Sequence, residues 1–179
     1  MSSNPRMVSN CIQPEIAIQP IRNAILRLDP SSSCFTSSHL IFAHLCLSAR
    51  AFSSAIPVLD KDIFHFPAPF DKNSSLPLPN SHHETSSTFI TIGSGLSDKL
   101  GYKDHLKYFL YGAMLYLGVK NWERALFFLE VVIATPTNNT VSMVQVEAYK
   151  KYVLTGLLLE GRVSSHASPT KARSLRITI

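Results

Sequence analysis

The sequence predicts an all-α fold of stacked helical hairpins, interrupted by one long disordered insertion. Three observations carry that prediction. Between Asp104 and Glu160, apolar residues recur at three- and four-residue steps in three separate runs, as on the buried face of a helix. An earlier stretch repeats the design: Leu40, Ala43, Leu47, Phe52, Ala55, Ile56 and Leu59 match Leu110, Ala113, Leu117, Trp122, Ala125, Leu126 and Leu129 at a constant offset. Between the two, Phe64 to Lys103 is rich in Pro, Ser and Asn, and so long a loop inside a helical domain marks disorder or an insertion. The chain divides accordingly into a disordered N-terminus (1–13), a first repeat part (14–62), a Pro/Ser-rich disordered insertion (63–103), a second repeat part (104–161) and a disordered basic tail (162–179).

Taken in order, Glu15 to Leu28 is the first helix, with Ile16, Ile21, Ala24, Ile25 and Leu28 apolar; Pro20 either kinks it or marks its true start. Asp29-Pro30 and the serines after it form a turn. Ser38 to Ala49 and Phe52 to Asp60 are paired helices, the second shortened or bent by Pro57. Thr88 to Ile92 has strand composition but no partner, so it stays with the insertion. The next helix opens at Asp104, buries Leu106, Phe109, Leu110, Ala113 and Leu117, and stops at Gly118 through the left-handed conformation glycine accepts. Asn121 caps its partner, which buries Trp122, Ala125, Leu126, Leu129 and Val132 and ends before Pro136. The last helix starts at Ser142 with Gln145 three residues on, a capping-box spacing, and Gly161 lies past its end. Its apolar line reads Val146, Tyr149, Val153, Leu157.

Only Val119 and Lys120 join the second pair of helices, so the two must run antiparallel, and Ala113 and Ala125 are small where the backbones come close. Ala113, Tyr116, Ala125, Leu129 and Pro136 follow the spacing of a tetratricopeptide repeat, without its Trp and Leu-Gly positions. The architecture predicted is thus a degenerate tetratricopeptide-like solenoid.

The chemistry that the sequence excludes is as informative. Of 179 residues, 45% are apolar, enough for a core, and no run of eighteen apolar residues predicts a membrane span. The polar stretch Met1 to Cys11 lacks the apolar centre of a signal peptide, which points to nucleus and cytoplasm. Cys11, Cys34 and Cys46 are odd in number and widely spaced, which suits a reducing compartment; the sequons at Asn73 and Asn138 then carry no weight. The net charge of +5 is scattered apart from Lys171, Arg173 and Arg176, so nucleic-acid binding is disfavoured against a solvated surface with a basic tail. Ser168-Pro169-Thr170-Lys171 has the form of a proline-directed phosphorylation site, a motif common by chance.

His65, His82, His83, Asp71 and Glu84 lack the spacing of a metal site, and Gly93-Ser94-Gly95 lacks the strand and Lys-Ser/Thr of a phosphate loop. Tyr108, Tyr111 and Tyr116, at helical spacing, read as packing rather than a base-stacking platform. No catalytic residue, metal ligand or cofactor site is predicted, and no small-molecule substrate. One candidate surface remains. Glu147, Lys150 and Lys151 form a charged strip beside a buried Tyr149, available to a protein partner or to nothing but solvent.

Three runs carry a resemblance to a known family: Tyr108-Phe109-Leu110-Tyr111-Gly112-Ala113-Met114, Gly118-Val119-Lys120-Asn121-Trp122-Glu123-Arg124-Ala125-Leu126, and Val146-Glu147-Ala148-Tyr149-Lys150-Lys151-Tyr152-Val153-Leu154. With the looser Ile21 to Leu59 region, they resemble subunit three of the COP-nine signalosome over about two thirds of the chain, leaving out the proline-rich insertion and the last residues. The resemblance implies a non-catalytic scaffold whose partners are the other subunits of the complex. Removal of the ubiquitin-like modifier Nedd8 from cullins, and so regulation of cullin-RING ubiquitin ligases, belongs there to a zinc metalloprotease subunit. Members of that family continue into further repeats and a PCI winged-helix domain, which this chain stops short of, so a truncated form is expected. A generic tetratricopeptide-like or proteasome-lid-like adaptor is the alternative, and a basic adaptor binding nucleic acid through Lys171 to Ile179 comes after it.

Overall fold

The computed structural model describes residues 14–30, 33–67, 90–136 and 142–161. The N-terminus (1–13), the interior of the insertion with Asp71, His82, His83 and Glu84, both sequons, Cys11 and the tail with its Ser-Pro motif lie outside them. Among the described residues there are six α-helices: α1 (Pro14–Leu28), α2 (Ser37–Ser48), α3 (Phe52–Leu59), α4 (Tyr102–Gly118), α5 (Trp122–Ala134) and α6 (Met143–Glu160). A short 3₁₀ turn, Ile92–Ser94, precedes α4. The helices stack in sequence: α1 lies on α2 and α3, α4 on α2 and α3, α5 on α4, and α6 on α5 with a smaller contact to α4.

The two hairpins share one turn. Ala49, Arg50 and Ala51 donate backbone hydrogen bonds to Leu45, Leu47 and Cys46, and Val119, Lys120 and Asn121 donate to Leu115, Leu117 and Tyr116. Each of these is the Schellman arrangement that satisfies the last helical carbonyls. Both turns place a left-handed residue at the same point, Arg50 at φ 54° and Lys120 at φ 62°, 70 positions apart. Ala43, Ala55, Ala113 and Ala125 are all fully buried, as the sequence expected of residues where paired backbones meet.

Several expectations need correction. Gly118 does not stop α4; Lys120 does, and Gly118 is small because a Cβ there would lie 2.5 Å from the Phe52 ring. Helix α4 starts at Tyr102 rather than Asp104, whose carboxylate instead reaches back from the third helical position to accept the Gly101 N–H at 3.0 Å. In α1, Pro20 lies inside a helix that begins at Pro14; Ile16 is 69% exposed, Ala24 is exposed, and the buried line is Ile18 and Ile25. Trp122 is only half-buried at the start of α5, and Phe128 fills the core there. Pro57 leaves α3 short, at eight residues, as the sequence predicts.

Asn121 caps α5 by accepting the Arg124 N–H at 3.2 Å, and Thr135 turns to extended geometry before Pro136. Ser142 and Gln145 form the expected capping box of α6, with Gly161 left-handed at its end. The Gln145 amide also donates to the carbonyls of Val132 and Thr135 at 3.2 and 2.8 Å, which ties the start of α6 to the end of α5.

The insertion predicted at 63–103 is narrower than expected, because its flanks belong to the core. Residues 63–67 run beside 33–35: the Phe35 N–H donates to the His65 carbonyl, and the Phe64 and His65 N–H groups donate to Ser33. Ile63 and Ile90 are buried, and the Ser37 N–H donates to Ser97 Oγ while the Asp98 N–H donates to Ser37 Oγ, which fastens 97–98 to the start of α2. Ile90, taken as part of a partnerless strand, is fully buried before the 3₁₀ turn.

Candidate protein interaction surface

The core contains titratable groups, but their surroundings suit packing. Burial pushes the Cys34 thiol up to about 11, with the charge of Asp29 adding to the effect, and burial likewise pushes Cys46 up to about 11, so neither is a ready nucleophile. His39 and His105 are driven down to about 4 by burial, Asp29 opposing this at His39, so both rings are neutral near pH 7. The rings of His105, Phe109, Tyr108 and Phe35 pack against one another, with Phe109 4.7 Å from His105 between centroids. Tyr108 is buried and its phenol is raised by desolvation, then by Tyr116; Tyr111 is half-buried and Tyr116 fully so, which places the three tyrosines in packing roles. Among the described residues no group of three or more His, Cys, Asp or Glu converges as a metal site, and no helix is long and apolar enough to cross a membrane.

A polar junction joins the two hairpins. The Tyr116 hydroxyl donates to Asp60 Oδ1 at 2.6 Å, and Arg124 lies 3.8 Å from the same oxygen and 5.8 Å from the Tyr116 ring centroid. It binds the end of α3 to α4 and α5, but Arg124 and Asp60 are substantially exposed, so its charge pair contributes little beyond the hydrogen bond.

Half of the large apolar residues exposed among the described ones lie on α6. Its buried line is Gln145, Ala148 and Thr155, with Val144 and Tyr152 packed on the core. Tyr149, expected to be buried, is 57% exposed, and Leu157 of the same expected line is also exposed. Helix α6 is apolar on nearly all sides, and the direction it buries is decided by where α5 stands, so the outer apolar line is left uncovered. Met143, Leu154, Leu158 and Leu159 extend this exposed surface.

The predicted charged strip lies on that outer side. Lys151 Nζ is 3.0 Å from Glu147 Oε1, and the Glu147 carboxyl is held below its usual value first by that hydrogen bond, then by the Lys151 charge. Lys150 is exposed and makes no ion pair among the described residues. The structure therefore brings Glu147, Lys150 and Lys151 together beside an exposed tyrosine. Leu154 and Leu158 were missed by the sequence reading, although apolar residues on both faces of 143–160 already signalled that the helix has more than one apolar side.

A family model described as COP9 signalosome complex subunit 3, N-terminal helical repeats, matches residues 4–172. The chain belongs to that family. The match runs through the proline-rich stretch that the resemblance of short motifs had left out. A COP9 signalosome complex subunit 3 from Emericella nidulans is 41% identical over 153 residues, which cover 86% of this chain and 31% of the relative. One from Drosophila melanogaster is 33% identical over 149 residues, covering 83% of this chain and 31% of the relative. The chain thus spans about a third of the length of these COP9 signalosome relatives, the part described as helical repeats.

Proposed function

We propose that the chain is a non-catalytic scaffold of the COP9 signalosome, holding other subunits through its helical repeats while cullin deneddylation is carried out by another subunit. The observation that carries the reading is α6, apolar almost all round yet covered on one side only. A helix of that composition is stable when both sides are buried, so its outer side favours a protein neighbour. Membership of the subunit 3 family supports the same neighbours, the remaining subunits of the complex. The strip Glu147, Lys150 and Lys151 is the polar rim of that contact, and the chain is placed in nucleus and cytoplasm.

The test is co-expression of the tagged full chain with the remaining signalosome subunits, followed by size-exclusion chromatography. Co-elution supports the reading, and elution of the chain alone sinks it. Reversing charge at Lys150 and Lys151 is expected to weaken co-elution; unchanged recovery removes the strip from the interface. A tagged chain confined to membranes or organelles removes the placement in nucleus and cytoplasm.

A further inference from the structure

Both flanks of the insertion are tied to one short piece of chain, 33–37, at the start of α2. On one side the Phe35 N–H donates to the His65 carbonyl, and the Ser33 carbonyl accepts from Phe64 and His65. On the other, the Ser37 N–H donates to Ser97 Oγ and Ser37 Oγ accepts the Asp98 N–H. Between these ties stands Thr36, the N-cap of α2. Its N–H is accepted by Nδ1 of His39 at 3.3 Å, and its hydroxyl lies 2.8 Å from the same atom, a capping box closed by a histidine. The neighbouring Phe35 ring packs against His39 and against His105 of α4, each 6.2 Å away between centroids. Phe66 of the first flank packs on both Phe35 and His105.

We propose that the start of α2 is a proton-operated clasp: when His39 and His105 take up protons, both flanks, 63–67 and 90–98, come away while the helical hairpins stay folded. Nδ1 of His39 accepts the Thr36 N–H only while it carries no proton. A proton there sets two donors face to face at a helix N-terminus, where positive charge is also unfavourable. The Nε2 atoms of His39 and His105 are buried with no hydrogen-bond partner among the described residues, so an imidazolium gains no acceptor at that atom. Asp29, at the end of α1, faces His39 and favours its charged form, while its carboxylate accepts the Cys34 N–H at 3.0 Å. From α4, Tyr108 faces His39 with a phenol that burial keeps neutral. His105 is surrounded by Phe35, Phe66 and Phe109, and burial alone depresses it. At both rings burial wins, holding them at about 4 against the ordinary 6.5. Groups depressed in this way stabilise the closed clasp fully above 6.5 and lose that effect as pH falls toward 4. Between pH 7.5 and 5 each histidine therefore raises the opening constant by on the order of thirtyfold. The flanks hold on through these few bonds and the side chains of Ile63, Phe66 and Ile90, whereas the hairpins bury their own core, so the clasp opens first.

Two buried cysteines report the event separately. Cys34 lies in the clasp, paired with His65 of the flank, whereas Cys46 lies in the core near the far end of α2. The full chain is treated with dipyridyl disulfide, which still labels thiols in acid, between pH 7.5 and 5, and peptide mass spectrometry locates the label. Relative to the unfolded chain at each pH, Cys34 labelling is expected to rise about a hundredfold or more toward pH 5, with Cys46 still protected. His39→Gln keeps an acceptor for the Thr36 N–H in a Thr-x-x-Gln capping box without titrating, and is expected to remove about thirtyfold of that rise. His39→Gln with His105→Gln is expected to remove nearly all of it. Cys34 and Cys46 labelled together at every pH overturn the proposal, because the event is then unfolding of the whole chain. A rise that persists in the double variant also overturns it and assigns the trigger to a carboxylate such as Asp29. Where the double variant leaves Cys46 open at pH 7.5, the His39→Gln chain decides by the same measure.

Discussion

Replacing Gly112 by alanine sets two opposed effects against each other. In an exposed helix interior the change stabilises by about 1 kcal/mol, because alanine loses less backbone entropy on folding. In α4 the new methyl would sit 2.6 Å from both Cδ1 and Cε1 of Phe128 and 3.3 Å from Leu59 Cδ2. The Phe128 ring has little room to retreat, since it is 4% exposed and its centroid lies 5.1 Å from those of both Phe109 and Tyr116. Overpacking of this kind costs about 1–3 kcal/mol; two ring atoms at 2.6 Å put Gly112 in the upper half of that range, so after the helix preference is subtracted a net loss of about 1–2 kcal/mol is expected. Urea unfolding followed by far-ultraviolet circular dichroism, together with Trp122 fluorescence, measures it as a lower midpoint with an unchanged slope. Adding Phe128→Leu to Gly112→Ala should recover part of the loss, more than the two single changes would sum to. A Gly112→Ala chain as stable as the parent, or more so, would refute the claim that the two helices are held close by this glycine.

Other perturbations test other parts of the structure. Lys120→Gly should raise stability by about 0.5–1 kcal/mol in the same assay, because glycine meets the left-handed φ of 62° without the Cβ penalty; a β-branched Val there should lower it. Tyr116→Phe removes the 2.6 Å hydrogen bond to Asp60 while keeping the ring, and should cost about 1 kcal/mol. Acid should destabilise the fold before carboxylates titrate: His39 and His105 sit at about 4 when folded, against 6.5 for a free histidine. The unfolded chain therefore binds more protons between those values. Stability is full above pH 6.5 and falls as pH drops toward 4, by an amount on the order of a few kcal/mol for the pair. Urea midpoints from pH 7.5 to 4.5 should show that slope, and it should be shallower in a His105→Gln chain.

Much of the fold was legible because its signals are local. The Asn121 cap, the Ser142–Gln145 box and the break before Pro136 each depend on hydrogen bonds or sterics within four residues, and each is found where the sequence places it. The paired alanines were legible for a related reason, since a short link forces neighbouring helices together and only small residues fit. The candidate surface was half-legible: the charged strip is where helical spacing puts it, but its neighbour Tyr149 faces out. The family itself could be read from short motifs whose spacing survives in the hairpin turn and in α6.

By itself, then, the sequence determined which segments are helical, where most of them begin and stop, and that they pair as hairpins. Tertiary structure decided which side of a helix is inside when both sides are apolar. Helix α6 can bury Val146 and Tyr149 or Ala148 and Tyr152 with similar gain from its own composition, and the position of α5 selects the second set. Likewise only the packed molecule shows that Gly112 and Gly118 yield to Phe128 and Phe52, that Lys120 takes the left-handed turn, and that 63–67 lies against 33–35. The physical reason is the same throughout: backbone hydrogen bonds and caps are satisfied within a turn of chain, whereas burial is settled by neighbours that lie far away in sequence.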